Sequence, residues 1–237
     1  MLVAIHQPEY LPWLGYFEKM MRADVFVLLD NVQFSKGDFH NRTRIKGTAG
    51  AQWLSLPVHA GSSATIGEVE VAGHGWEAKH WRSLVSSYSR AAFFGEWAGE
   101  FEAFYRQSFG RLLDYNVGAL ELVARAFGLR QNWVRASRLK AGGRKSELVL
   151  NICRELGADT YYSGRSGSSY LNREEFERVG IEIKVQEFSH PVYEQLFTDD
   201  NGFTPNLSAI DLLFNCGPVG RELIRAAGAQ TITERTS

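Results

Sequence analysis

The chain begins with a strand, a helix and a strand inside 30 residues. Leu2–Ile5 reads as a short buried strand, Pro12–Arg22 as a helix with Pro12 in its first turn, and Val25–Asp30 as a second apolar strand. Two strands joined through a helix must run parallel, because an antiparallel pair needs only a tight turn. Parallel strands are buried on both faces, so the sheet needs helices above and below it. The opening stretch thus points to an α/β protein.

The rest of the chain fits that expectation, with one interruption. NRTRIK (41–46) and QWLSLPV (52–58), joined through GTAG, read as a hairpin, and GEVEVAG (67–73) as a weaker strand. From about 76 to 129 the apolar spacing is helical, predicting two or three helices as a helical insertion. Strand–helix alternation resumes at Trp133–Ser137. A helix near Ser146 stops at Gly157, TYYSG (160–164) is a strand, and IEIKVQEF (181–188) is the last strand. Asn172, with Glu175 three residues on, predicts a capped helix. Ser208 predicts a cap for AIDLLFNC, and Pro218 starts a final helix to about Ala227, followed by a frayed tail containing TITERTS. The expected fold class is α/β, a mainly parallel three-layer sheet, with residues 1–237 forming one domain.

Composition excludes several function classes. A net charge of -1 provides no general field for nucleic acid. No apolar run approaches the roughly 20 residues that span a bilayer, and no signal peptide is legible. Two cysteines, Cys153 and Cys216, form neither a disulfide framework nor a zinc pattern. No HxxxH or HExxH spacing suggests a metal site. The expectation is a reduced, cytoplasmic protein acting on a small molecule.

Ligands of parallel sheets bind outside the carboxyl ends of the strands. That rule selects His6 and Gln7 after the first strand, Asp30, Asn31 and Gln33 after the second, and Ser163, Gly164, Arg165, Ser166 and Gly167 after TYY. Pro8 and Pro12 stiffen the first loop, and Gly15 permits close approach or tight helix–sheet packing. Arg42, Arg44 and Lys46 alternate onto one strand face, either as a charged edge or as a phosphate clamp, with Asn41 beside them. Arg144 and Lys145 precede a helix N-cap at Ser146, which would make an anion nest. His190 precedes Pro191, and Asn206 lies just ahead of Ser208. Asp211 reads as a general base or as a capping-box acid.

The stretches IHQPEYLPWLGYFEKMMRADVFVLLDNVQFSKGDFHNRTRIKG, WLSLPV, LGADTYYSG and FSHPVY…NLSAIDLLFNCGP resemble the WbqC-like family across nearly the whole chain. The resemblance implies bacterial O-antigen or other surface-polysaccharide biosynthesis, and a glycine transferase acting on an amino sugar. Its expected partners are a nucleotide-activated amino sugar and glycine or an activated acyl donor. A fainter architectural resemblance is to HIGH-type nucleotidyltransferases, with His6 and Arg144–Lys145–Ser146 as counterparts of their phosphate loops, although HQPEY is not HxGH and GGRKS is not KMSKS. The sheet is thus expected to be Rossmann-like or HIGH-nucleotidyltransferase-like. ATP with Mg²⁺ is the cofactor this implies. On this reading His6, with Arg144 and Lys145, stabilises phosphate charge, and Asp30 or Asp211 takes the proton of the incoming amine. A sugar nucleotidyltransferase and a non-catalytic pathway subunit are the rival readings.

Overall fold

The computed structural model describes residues 1–165, 167–198 and 202–229. Ser166 and the TITERTS tail lie outside the described residues. Five strands form one all-parallel sheet: β1 (Leu2–His6), β2 (Val25–Leu28), β7 (Trp133–Arg135), β8 (Thr160–Ser163) and β9 (Glu182–Val185). Their spatial order is β7-β2-β1-β8-β9. Counted among themselves, the parallel strands run 3-2-1-4-5. The chain builds outward from β1 in one direction, then returns to build outward in the other.

Alternate side chains of each strand enter different cores, which makes three layers. Ala4, Phe26, Leu28 and Tyr162 face one core. It contains α1 (Leu14–Arg22), the insertion helices α2 (Trp76–Tyr88), α3 (Phe94–Arg106) and α4 (Leu112–Ala126), and the last helices α7 (Ala209–Cys216) and α8 (Gly220–Ala229). Val3, Ile5, Val27 and Tyr161 face a smaller core under α5 (Ser146–Glu155) and α6 (Arg173–Arg178). The 76–129 segment gives three helices, and their apolar faces merge with the larger core rather than forming one of their own. Away from the main sheet, β3 (Arg42–Gly47) and β4 (Gly50–Ser55) form the expected antiparallel hairpin, and β5 (Val58–His59) pairs with β6 (Glu70–Val71).

Several local expectations need correction. Pro12 lies before α1, whose N-cap is Trp13. Ser146 does not cap α5; Lys145 holds the N-cap at φ 51, and the Ser146 hydroxyl accepts the Asn172 N–H at 2.9 Å. Asn172 occupies the N-cap of α6 without a side-chain bond, so no capping box forms there. Of GEVEVAG only Glu70–Val71 is strand, because Ile66–Glu68 turns as a 3-10 helix. Ser208 does cap α7, accepting from the Ile210 N–H at 3.5 Å. No helix among the described residues is long and apolar enough to cross a membrane.

Candidate functional site at the strand-order reversal

Strand order reverses between β1 and β8. The connections leaving these neighbours diverge to opposite sides, which opens a crevice at their carboxyl ends. A cavity of about 620 Å³ occupies that place, lined from β1, α1, β8 and the segment after β9.

From β1 comes His6, whose ring meets Tyr16 edge-on at 4.7 Å. Its Nδ1 is 3.1 Å from the Gln7 carbonyl, which can only accept, so Nδ1 carries the proton and Nε2 the lone pair. Burial and the nearby Lys19 charge push its pKa down to about 3, keeping the ring neutral at physiological pH. Gln7 is oriented in turn by His40. The Ser35 N–H donates to His40 Nδ1, so His40 Nε2–H donates to Gln7 Oε1 at 2.9 Å. Glu9 follows in the same loop, 3.7 Å from His6 Nδ1. Burial pushes its carboxyl up to about 8.

Two charged residues of α1 are buried here, of which Lys19 lines the cavity. Glu18 accepts from the Tyr162 hydroxyl at 3.2 Å, from Gln186 Nε2 at 2.6 Å and from Arg22 Nε, which ties α1 to β8 and to the end of β9. Lys19 is only 2% exposed and donates to the Ile5 carbonyl at 3.2 Å. Burial lowers its pKa to about 8, against the pull of Glu9 and Glu18. On the β8 side, buried Ser163 donates to the Gly164 carbonyl at 3.0 Å, and Gly164 itself lines the cavity. Trp13 and Phe188 meet edge-to-face at 5.3 Å as an aromatic wall. An added Cβ at Gly15 would overlap the Trp13 indole, so the glycine seats that wall.

His190 lines the same cavity. Its Nδ1–H donates to the Pro191 carbonyl at 2.9 Å, and its buried Nε2 has no partner among the described residues. Burial lowers its pKa, so this ring too presents a bare lone pair. Asn206, in the left-handed region at φ 59, completes the rim.

Seven of the residues expected from sequence therefore converge here: His6, Gln7, Gly164, Arg165, Gly167, His190 and Asn206. The others lie elsewhere. Asp30 accepts the Ser137 N–H at 2.9 Å and its hydroxyl at 2.6 Å, tying the ends of β2 and β7 together. Asp211 is fully buried and caps nothing. It accepts from the Tyr88 hydroxyl at 2.9 Å, the Tyr193 hydroxyl at 2.8 Å and Gln195 Nε2 at 2.7 Å. Asn31 does not line the cavity, and Gln33 donates to the Ser62 carbonyl at 3.0 Å. Asn41 donates to the Leu56 carbonyl at 2.9 Å. Arg42 stacks over Trp53 at 4.2 Å and Arg44 over the same ring at 5.8 Å, while Lys46 is buried against Gly202 and Thr204. Arg144 and Lys145 are exposed and, like Ser146, do not line the cavity, so the paired phosphate loops of the HIGH comparison do not assemble there. Among the described residues no three His, Cys, Asp or Glu side chains are placed to hold a metal ion.

Sequence reading missed Glu9, Trp13, Lys19 and Gln186. No spacing in the sequence marks Lys19, whose burial comes from the assembled layers. Its nine-residue helix is wedged between two apolar strands, and Leu14 through Met20 are all buried, so a lysine there has little solvent to reach.

Fold and cavity together define a class: an all-parallel, three-layer α/β protein with a cavity at its strand-order reversal. The sequence matches the WbqC-like protein family over residues 7–222, and the chain belongs to that family. It is similar to the uncharacterized protein Rv1507c of Mycobacterium tuberculosis (strain ATCC 25618 / H37Rv), with 32% identity over 227 residues, covering 94% of this chain and 97% of the relative. No solved structure matches.

Proposed function

We propose that the protein is a transferase of bacterial surface-polysaccharide synthesis, moving an acyl group, glycine foremost, onto the amine of a nucleotide-activated amino sugar. On this reading it works in the cytoplasm. The observation that carries the proposal is the His6 imidazole, held neutral, with Nδ1–H fixed on the Gln7 carbonyl and Nε2 left to accept. Amide formation needs the attacking amine to lose a proton, and the His6 lone pair is placed to take it. Because a pKa of about 3 makes the free ring a weak base, the charge of the bound ligand has to raise it for the transfer. His190 presents a second such nitrogen. The base role thus falls to these rings rather than to Asp30 and Asp211, whose oxygens are committed to hydrogen bonds. The Trp13–Phe188 wall suits the apolar face of a sugar ring, and the volume falls within the ~300–1,000 Å³ of small-molecule sites.

The test is a product assay. Purified protein is incubated with a nucleotide-activated amino sugar, glycine, ATP and Mg²⁺, and the glycylated sugar nucleotide is sought by mass spectrometry. Glycine-dependent ATP–pyrophosphate exchange, run in parallel, separates activation by ATP from use of a preactivated donor. The expected result is product formation that falls about 10²–10⁴-fold in His6→Gln, with KM for the sugar nucleotide little changed. Binding of the sugar nucleotide without turnover, under any donor, would instead make the protein a non-catalytic pathway subunit. Full kcat/KM in the variant would remove His6 from the chemistry.

A further inference from the structure

Lys19 is the charge on the cavity floor that the fold leaves unanswered. Its three N–H donors have one acceptor among the described residues, the Ile5 carbonyl at 3.2 Å. Among the described residues no carboxylate stands within the 4.0 Å of an ion pair with it. Two are near enough to act on it through space. Glu9 is held as the neutral acid by burial up to about pH 8, and Glu18 is committed to Tyr162, Gln186 and Arg22. His6 at the end of β1 also senses it and is neutral, and Asp38, Arg165 and His190 line the same cavity. A lysine is almost never fully buried unless paired, because an ammonium removed from water needs negative charge beside it. The position is not sealed. Lys19 lines the cavity, and its Nζ lies 3.4 Å from where a side chain on Gly164 would begin, between the carboxyl ends of β1 and β8.

We infer that Lys19 is the oxyanion anchor of this cavity, completing its hydrogen bonds with a phosphoryl or carboxylate group of the ligand. The inference deepens the transferase reading and rests on it for the two sources of the oxyanion. These are the phosphoryl groups of the activated sugar and the carboxylate of the amino acid. A negative charge at Lys19 also cancels the push that this ammonium exerts on His6, so ligand binding makes the imidazole a stronger base where the amine must be deprotonated.

Calorimetric titration of the full chain with inorganic pyrophosphate, and separately with glycine, tests the anchor and tells the sources apart. It is run at about pH 7 and about pH 8.5, in two buffers of different ionisation heat, on wild type and Lys19→Met. Lys19 is partly deprotonated in the free protein at the higher pH, and a bound anion favours its charged form. Binding should therefore take up a proton there and weaken as pH rises. The probe that carries the oxyanion should bind wild type about tenfold to a hundredfold more tightly than Lys19→Met. The ligand-free variant should melt no lower than wild type, since an apolar side chain replaces an unpaired buried charge.

Failure of both probes to bind wild type, or equal binding by wild type and variant, overturns the anchor. If the variant melts lower or does not fold, the wild-type titration decides: binding without proton uptake at the higher pH overturns it. Anion binding through Lys19 without acyl transfer refutes the transferase reading alone. Transfer with unchanged KM in Lys19→Met refutes the anchor alone.

Discussion

Asp211 binds the loop that carries His190 and Asn206 to the body of the protein, and its replacement gives the sharpest stability prediction. One oxygen accepts from Tyr88, whose hydroxyl oxygen also accepts the Lys46 N–H at 2.9 Å. The other accepts from Tyr193 and Gln195. Gln195 in turn donates to the Thr204 carbonyl at 3.0 Å and accepts the Thr204 N–H at 2.9 Å, closing the loop on itself. Asp211→Ala leaves three buried donors without an acceptor, each costing about 1–3 kcal/mol. Water entering the vacated space and relief of the buried charge recover part of this, since burial already raises the Asp211 pKa. The net expectation is a loss of about 3–5 kcal/mol, a large share of the roughly 5–15 kcal/mol that holds a domain together. Asp211→Asn should cost less, about 1–2 kcal/mol. Its oxygen can serve Tyr193 and Gln195, and its amide can donate to the Tyr88 hydroxyl, which then loses only its own acceptor. The assay is urea unfolding of all three proteins, comparing midpoints at unchanged m-value. A loss below about 1 kcal/mol in the alanine variant, or asparagine costing as much as alanine, would refute this account of the network.

Two further predictions follow from the same structure. Gly15→Ala forces the Trp13 indole off its seat and should lower stability by about 1–3 kcal/mol while disturbing the cavity wall, measured by thermal melting and by ligand titration; an unchanged melting temperature would show that the indole has room to move. Stability should also fall with acid. His6, pushed down to about 3, and His80, pushed down to about 4 mainly by burial, stay neutral in the folded chain while the unfolded chain binds two protons. Glu9, pushed up to about 8, opposes them with one proton bound only in the folded state. From these three groups the unfolded state holds about one proton more near pH 5, a drop in stability of about 1.4 kcal/mol for each pH unit lost there. His40 and His190, also lowered by burial, add to the fall, and the raised Asp211 opposes it. Urea midpoints that do not move between about pH 6 and about pH 5 would contradict this.

The sequence by itself determined the fold class. Apolar runs of strand length alternating with helical periodicity demand a parallel sheet covered on both sides, and that pattern is local. The β3–β4 hairpin and the Ser208 cap are equally local and were legible for the same reason. Candidates placed by the strand-end rule divided according to strand order. His6 and Gly164 meet because β1 and β8 are neighbours, although 158 positions separate Leu2 from Thr160, its partner in the register. The Asp30 carboxylate, at the end of a strand one place further out, binds Ser137 instead. Tertiary structure alone decided which polar side chains lost their water. Lys19 and Asp211 look like ordinary surface charges in one dimension, but the first is enclosed by two strands and the second by a returning loop. Both therefore had to find partners from distant parts of the chain. Asp211 has them within the fold, whereas Lys19 has one carbonyl and the cavity. Burial of a charge is a property of the assembled layers, and no spacing along the chain encodes it.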